Sequence, residues 1–163
     1  PDVIFIHGGT NDCWQEPRNE YLLGTQSMLS KEKPSDEAMA PVYEAADACA
    51  TLAQAKELDN STFVSAYVKL IRMMELQYPS VQIVCIVGDH AGSADHHAIQ
   101  ESILDIAEHY KSHCRVVDFP AISGWQTTGP PLSKCGGSHP DAAGMDFMAS
   151  EIYKKVGSWI TAE

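Results

Sequence analysis

The sequence predicts an α/β fold built on a parallel sheet, from three observations. Short runs rich in β-branched residues stand at Val3 to Ile6, Val81 to Val87 and Arg115 to Phe119, each bounded by Gly, Pro, Asp or His; such runs are buried strands. Stretches with helical spacing lie between and after them. The alternation of strand and helix requires parallel strands joined by right-handed crossovers, hence a layered sheet.

The first run, Val3-Ile4-Phe5-Ile6, reads as a buried strand. The first helix is drawn by Phe63, Tyr67, Leu70, Ile71, Met74 and Tyr78, with Asn60 or Ser61 as its cap and Tyr78-Pro79 as its stop. Ile99, Ile103, Ile106, Ala107 and Tyr110 draw a second, and Met145, Met148, Ile152, Val156 and Trp159 a third. These stripes are core faces. The segment from Cys13 to Asp59 departs from the pattern: it holds Pro17, Gly24, Pro34 and Pro41, with one Ala-rich helix expected from Val42 to Leu58. Residues 13–59 therefore read as an insertion that follows the first strand near the active-site face. In an open α/β sheet ligands bind outside the carboxyl ends of the strands, so this excursion is either a pocket wall or a tolerated surface insertion.

A chain of 163 residues, 44% of them hydrophobic, suits one domain with its own core. Eleven Lys and Arg stand against 22 Asp and Glu, a formal charge of -11. That field repels phosphate backbones and anionic lipid, which argues against nucleic-acid and anionic-membrane partners. No apolar run approaches the roughly 20 residues of a membrane span. The sequence opens on Pro1 without an initiating Met or a leader, so the expectation is a longer precursor whose upstream part would carry any targeting signal. Five cysteines without a Cys-x-x-Cys pair support neither a zinc ribbon nor a thioredoxin motif. Cys85 and Cys114 read as core; one disulfide among Cys13, Cys49 and Cys135 stays open.

Two motifs carry chemistry. In Ile6-His7-Gly8-Gly9-Thr10-Asn11-Asp12 the chain leaves a strand through two glycines, and the Asn11 amide can either stabilise an oxyanion in the crevice or bond the backbone of its own turn. His7 is a candidate for the pocket mouth. In Gly137-Ser138-His139-Pro140-Asp141 the proline suits a first helical position, so His139 stands near the N-cap of the last helix. The positive end of that helix favours neutral imidazole, the form a general base needs, although a purely capping histidine would look alike. A third cluster, Asp89, His90, Asp95, His96 and His97, offers oxygen and nitrogen ligands. It lacks the helical His-x-x-x-His spacing and reads first as loop or cap, then as pocket wall, and last as a metal site.

Together and in this order, Gly9-Thr10-Asn11-Asp12, the Tyr78 to Ile83 pattern and Ser138-His139-Pro140 resemble the SGNH hydrolase superfamily, the GDSL esterases, over residues 1 to about 160. The resemblance implies a flavodoxin-like three-layer α/β/α fold, truncated at its N-terminus by two strands. It implies a serine ester hydrolase working through an acyl-enzyme on carbohydrate or small-acyl esters, with His139 as general base and Asn11 in the oxyanion hole. The block with the nucleophilic serine is absent and would lie upstream, so the chain itself is expected to be inactive. It also implies no metal, no organic cofactor, a small-molecule or glycan ester as partner and, by analogy, a secreted or periplasmic home. Missing strands would expose a sheet edge and favour self-association. The acid that the family places three residues before the histidine is Gly136 here, which leaves the orienting group, Asp141 included, unassigned. The absence of Gly-x-Ser-x-Gly argues against an α/β-hydrolase. The competing readings are a non-catalytic binding module of the same fold and a metal-dependent hydrolase using the Asp89–His97 loop.

Overall fold

The computed structural model describes residues 1–8, 21–88, 97–119, 122 and 142–160. Its elements are β1 (Val3–Ile6), β2 (Tyr21–Leu23), β3 (Gln26–Ser27), α1 (Asp36–Asp47), α2 (Leu52–Lys56), α3 (Phe63–Gln77), β4 (Gln82–Val87), α4 (His97–His109), β5 (Cys114–Asp118) and α5 (Ala142–Ile160). The fold is mixed α/β around a three-stranded parallel sheet in the order β1-β4-β5. The register pairs Ile6 with Cys85 and Cys85 with Val116. Central β4 is buried at five of its six positions, which explains its unbroken apolar run.

Alternation along the strands separates two cores. Ile83, Cys85 and Val87 face one side, where they join Tyr67 and Ile71 of α3 and Ile99, Ile103 and Ile106 of α4. Val84, Ile86, Val117 and Phe119 face the other, against Val156, Met148 and Ile152 of α5. The crossovers through α3 and α4 pass over one face, as a constant hand requires when strands are added in one direction. Only α5 covers the opposite face among the described residues, and there Phe5 of β1 stays 50% exposed.

The strands and the three long helices lie where the sequence puts them, with differences that have local causes. α3 is capped by Thr62 and not by Asn60 or Ser61, because Thr62 forms a reciprocal capping box with Ser65 (Ser65 N to Thr62 Oγ1 3.1 Å, Thr62 N to Ser65 Oγ 3.2 Å). Ser61 is held instead by Asp59, which accepts from its amide at 3.0 Å. The single helix expected from Val42 to Leu58 is two helices. α1 starts earlier, at Asp36, where Ser35 caps it and Asp36 and Glu37 suit the positive end. Pro41 sits inside it on the exposed side, so the carbonyl that loses its amide partner can turn to water. The Thr51–Gln54 capping box then opens α2. The β2–β3 hairpin, turned by Gly24 at φ 58°, was not expected from sequence; it buries Leu22 completely.

Cations of α3 fasten the excursion. Lys69 Nζ donates to the Leu58 carbonyl at 2.7 Å, and Arg72 donates to the Cys49 carbonyl at 2.6 Å while pairing with the buried Glu75 at 3.1 Å. Along α4, Tyr43 stacks on His109 with centroids 3.9 Å apart, His109 Nε2 lies 2.9 Å from Asp47, and Tyr43 donates to Asp105 at 3.1 Å. Cys49, Cys85 and Cys114 are buried free thiols, so Cys49 takes no part in a disulfide; Cys13 and Cys135 lie outside the described residues. Among the described residues no helix is long and apolar enough to cross a membrane.

Candidate active site at the carboxyl edge of the sheet

Parallel pairing brings the carboxyl ends of all three strands to one edge. Extending the register by two residues sets Gly8, Val87 and Asp118 at one level, with about 10 Å from the first to the last, two strand spacings. Helices begin at the same edge. Gln100 of α4 donates to the Gly88 carbonyl at 3.0 Å, which seats the first turn of α4 beside the end of β4. α5 is oriented by its other end: Gln82, the first residue of β4, donates to the Trp159 carbonyl at 2.8 Å, and the Arg115 guanidinium lies 4.7 Å over the Trp159 ring. Its last turn is therefore at the amino edge, and 19 residues at about 1.5 Å each carry Ala142 back to the carboxyl edge.

The described side chains at this edge are few and chemically distinct. His7 follows β1; it keeps solvent access, yet crowding by neighbouring atoms desolvates its imidazole and lowers its pKa below the usual histidine value. At neutral pH it is an uncharged acceptor or donor. Asp118 ends β5 as a half-buried carboxylate. Sequence reasoning passed over it, because it sat inside the expected strand Arg115 to Phe119; its one signal was a charge next to the end of an apolar run. On the outer side, Ala98 at the start of α4 donates to the Ser30 carbonyl at 3.3 Å, so the β2–β3 end of the excursion reaches this edge.

Asn11 and His139 lie outside the described residues, as do Gly136 and Asp141. So do Asp89, His90, Asp95 and His96; of that cluster only His97 is described, exposed at the start of α4 with Nδ1 3.6 Å from Glu101. Among the described residues no three histidine, cysteine or carboxylate side chains come together as a metal site. The chain matches no family model, no curated protein and no solved structure. Its chemistry is therefore read from the edge itself: a neutral imidazole, a carboxylate and the starts of two helices around the ends of three parallel strands.

Proposed function

We propose that this chain is the portion of an SGNH-type serine ester hydrolase that supplies the oxyanion donor Asn11 and the general base His139, on a flavodoxin-like sheet completed by strands beside β1. One observation carries the reading. Gly8, three residues before Asn11, and Ala142, three residues after His139, both belong to the carboxyl edge, and three residues of chain span at most about 11 Å. In this scheme a serine from a preceding segment attacks the ester carbonyl. His139 takes the proton from the serine hydroxyl and returns it to the leaving alcohol, while the Asn11 amide donates to the oxyanion. We assign the orienting acid to Asp118, the carboxylate at the end of β5, in place of the acid missing at Gly136. Substrates are carbohydrate or small-acyl esters, and the half-exposed β1 face is where the completing strands and helix pack.

The test compares turnover of p-nitrophenyl acetate by this chain and by a longer polypeptide that carries the upstream serine block. The chain alone should stay at background and the longer form should turn over and be inhibited by a fluorophosphonate. In that form Asn11→Ala should lose about 10²–10³ in kcat, and His139→Ala about 10⁴ or more. An active His139→Ala enzyme removes the role given to that histidine. Fluorophosphonate-sensitive turnover by the 163-residue chain would expose a nucleophile within it.

A further inference from the structure

Strand pairing brings two cysteines together in the larger core. Cys114 opens β5 opposite Ile83, and Cys85 stands opposite Val116, which makes the two cysteines diagonal neighbours on adjoining strands. Both point to the α3–α4 side, where Cys85 is 0% and Cys114 1% exposed. The Cys114 thiol is within hydrogen-bonding reach of Cys85, as is the Tyr67 hydroxyl of α3. That hydroxyl is buried without an oxygen or nitrogen partner. A buried donor is costly unless a neighbour answers it, and the sulfur of Cys85 is the neighbour this one has.

Charge and access distinguish this pair from inert core thiols. The Cys114 thiol lowers the pKa of Cys85 against the desolvation that burial imposes, and Tyr67 lowers it further; the same contact, with burial, raises Cys114. The pair therefore gives up its first proton as a unit, and the thiolate is the form that reacts. Access comes from the side of the edge strand. Cys114 lines an open groove of about 450 Å³ between α4 and β5, beside Lys111 and Arg115. A water-sized molecule occupies about 30 Å³, so a peroxide with two heavy atoms enters with room to spare. Cys49 is held differently. Its thiol donates to the Ala45 carbonyl at 3.4 Å, although at 7% exposed it is the most accessible of the three described thiols.

We infer that Cys85 and Cys114 are a redox modification site, which a hydroperoxide converts to a disulfide tying β5 to β4. A thiolate of the pair attacks one peroxide oxygen, the O–O bond breaks, and the departing hydroxide takes up a proton as water. The second thiol then attacks the sulfur of the sulfenic acid so formed. The S–O bond breaks, the hydroxyl leaves with that thiol's proton as a second water, and the S–S bond forms. Two electrons pass from the sulfurs to the peroxide. Diagonal neighbours have Cα atoms about 7–8 Å apart, just beyond the roughly 7 Å that a disulfide spans. Among the described residues β5 is paired on one side only, so a slide of about 1 Å along β4 closes the gap. The site does not depend on the hydrolase reading.

The test treats the folded chain with hydrogen peroxide near neutral pH, quenches with catalase, blocks the remaining thiols with iodoacetamide in urea and maps the tryptic peptides. Cleavage after Arg72, Lys111 and Arg115 places Cys85 in peptide 73–111 and Cys114 in peptide 112–115, so the disulfide appears as these two peptides joined. The joined species should weigh two hydrogens less than the separate peptides together, and dithiothreitol should part it. Both thiols should be lost at least tenfold faster than that of Cys49, the reverse of the order that exposure alone would set. Cys85→Ala and Cys114→Ala should each abolish the joined species, with urea midpoints to show that the variants are folded. Peroxide that consumes Cys49 first, a joined species that forms only in urea, or oxidation that ends in separate sulfinic acids on the two cysteines would overturn the proposal.

Discussion

Phe5 and Phe119 are the same residue type on the same face of the same sheet, yet Phe119 is completely buried and Phe5 is 50% exposed. Strand sequence does not separate them: each belongs to an alternating apolar run, and each points to the α5 side. Helix coverage separates them. A helix is about 10 Å across and strands lie about 4.8 Å apart, so among the described residues α5 shields the β4–β5 half of this face and leaves β1 without a helix over it. On the opposite face both α3 and α4 pack, and the core there is larger. A strand thus says which face a residue takes, and the number of helices laid on that face decides whether the residue is buried.

The contrast is sharpest as a pair of truncations. Phe119→Ala should lose about 3–5 kcal/mol in urea unfolding, and Phe5→Ala less than about 1 kcal/mol; equal losses would mean that β1 is covered in solution. The next test concerns the α3–α4 face, whose outer layer is fastened by charge. Arg72→Met should cost about 2 kcal/mol by leaving buried Glu75 without its cation and the Cys49 carbonyl without its donor. Glu75→Gln in the same background should recover part of it. Thr62→Ala removes the α3 cap and should cost about 1 kcal/mol, with Thr62→Ser nearly silent.

The smallest effect belongs to His7. Because desolvation lowers its pKa in the folded chain, the unfolded state binds the proton first as pH falls. The stability it contributes is present above about 6.5, the unfolded value, and is lost as pH drops toward its lowered folded value. NMR titration of the His7 ring should give a midpoint below 6.5, and His7→Asn should flatten that part of the stability profile. A midpoint at or above the usual value would show that the edge around β1 is open to solvent.

Periodicity made the strands and the long helices legible, since their apolar positions recur at spacings that only one kind of element satisfies. Failures arose where short polar side chains decide the backbone. Thr62 outcompetes Asn60 and Ser61 because Ser65 reciprocates, and Thr51 with Gln54 starts a new helix inside what composition alone reads as continuous. The helix expected from Val42 starts instead at Asp36, because on the exposed side of α1 the missing amide of Pro41 costs little enough for the helix to run through it. Asn11 and His139, the residues of the proposed function, stand out only as motifs in the chain and lie outside the described residues, whereas the level of Asp118 opposite Gly8 is a property of register, which no single strand carries.

The two cations of α3 also give the excursion a particular fate under attack. Lys69 and Arg72 hold the carbonyls of Leu58 and Cys49, which bracket α2 on either side. A protease needs a stretch of chain pulled free of its partners before it can cut. Freeing the segment between Cys49 and Leu58 means breaking charge-assisted bonds at both ends together, so clipping there should follow the opening of α3 itself. The excursion then shares the lifetime of the helix it rests on, and a nick in α2 marks chains whose core has already begun to come apart.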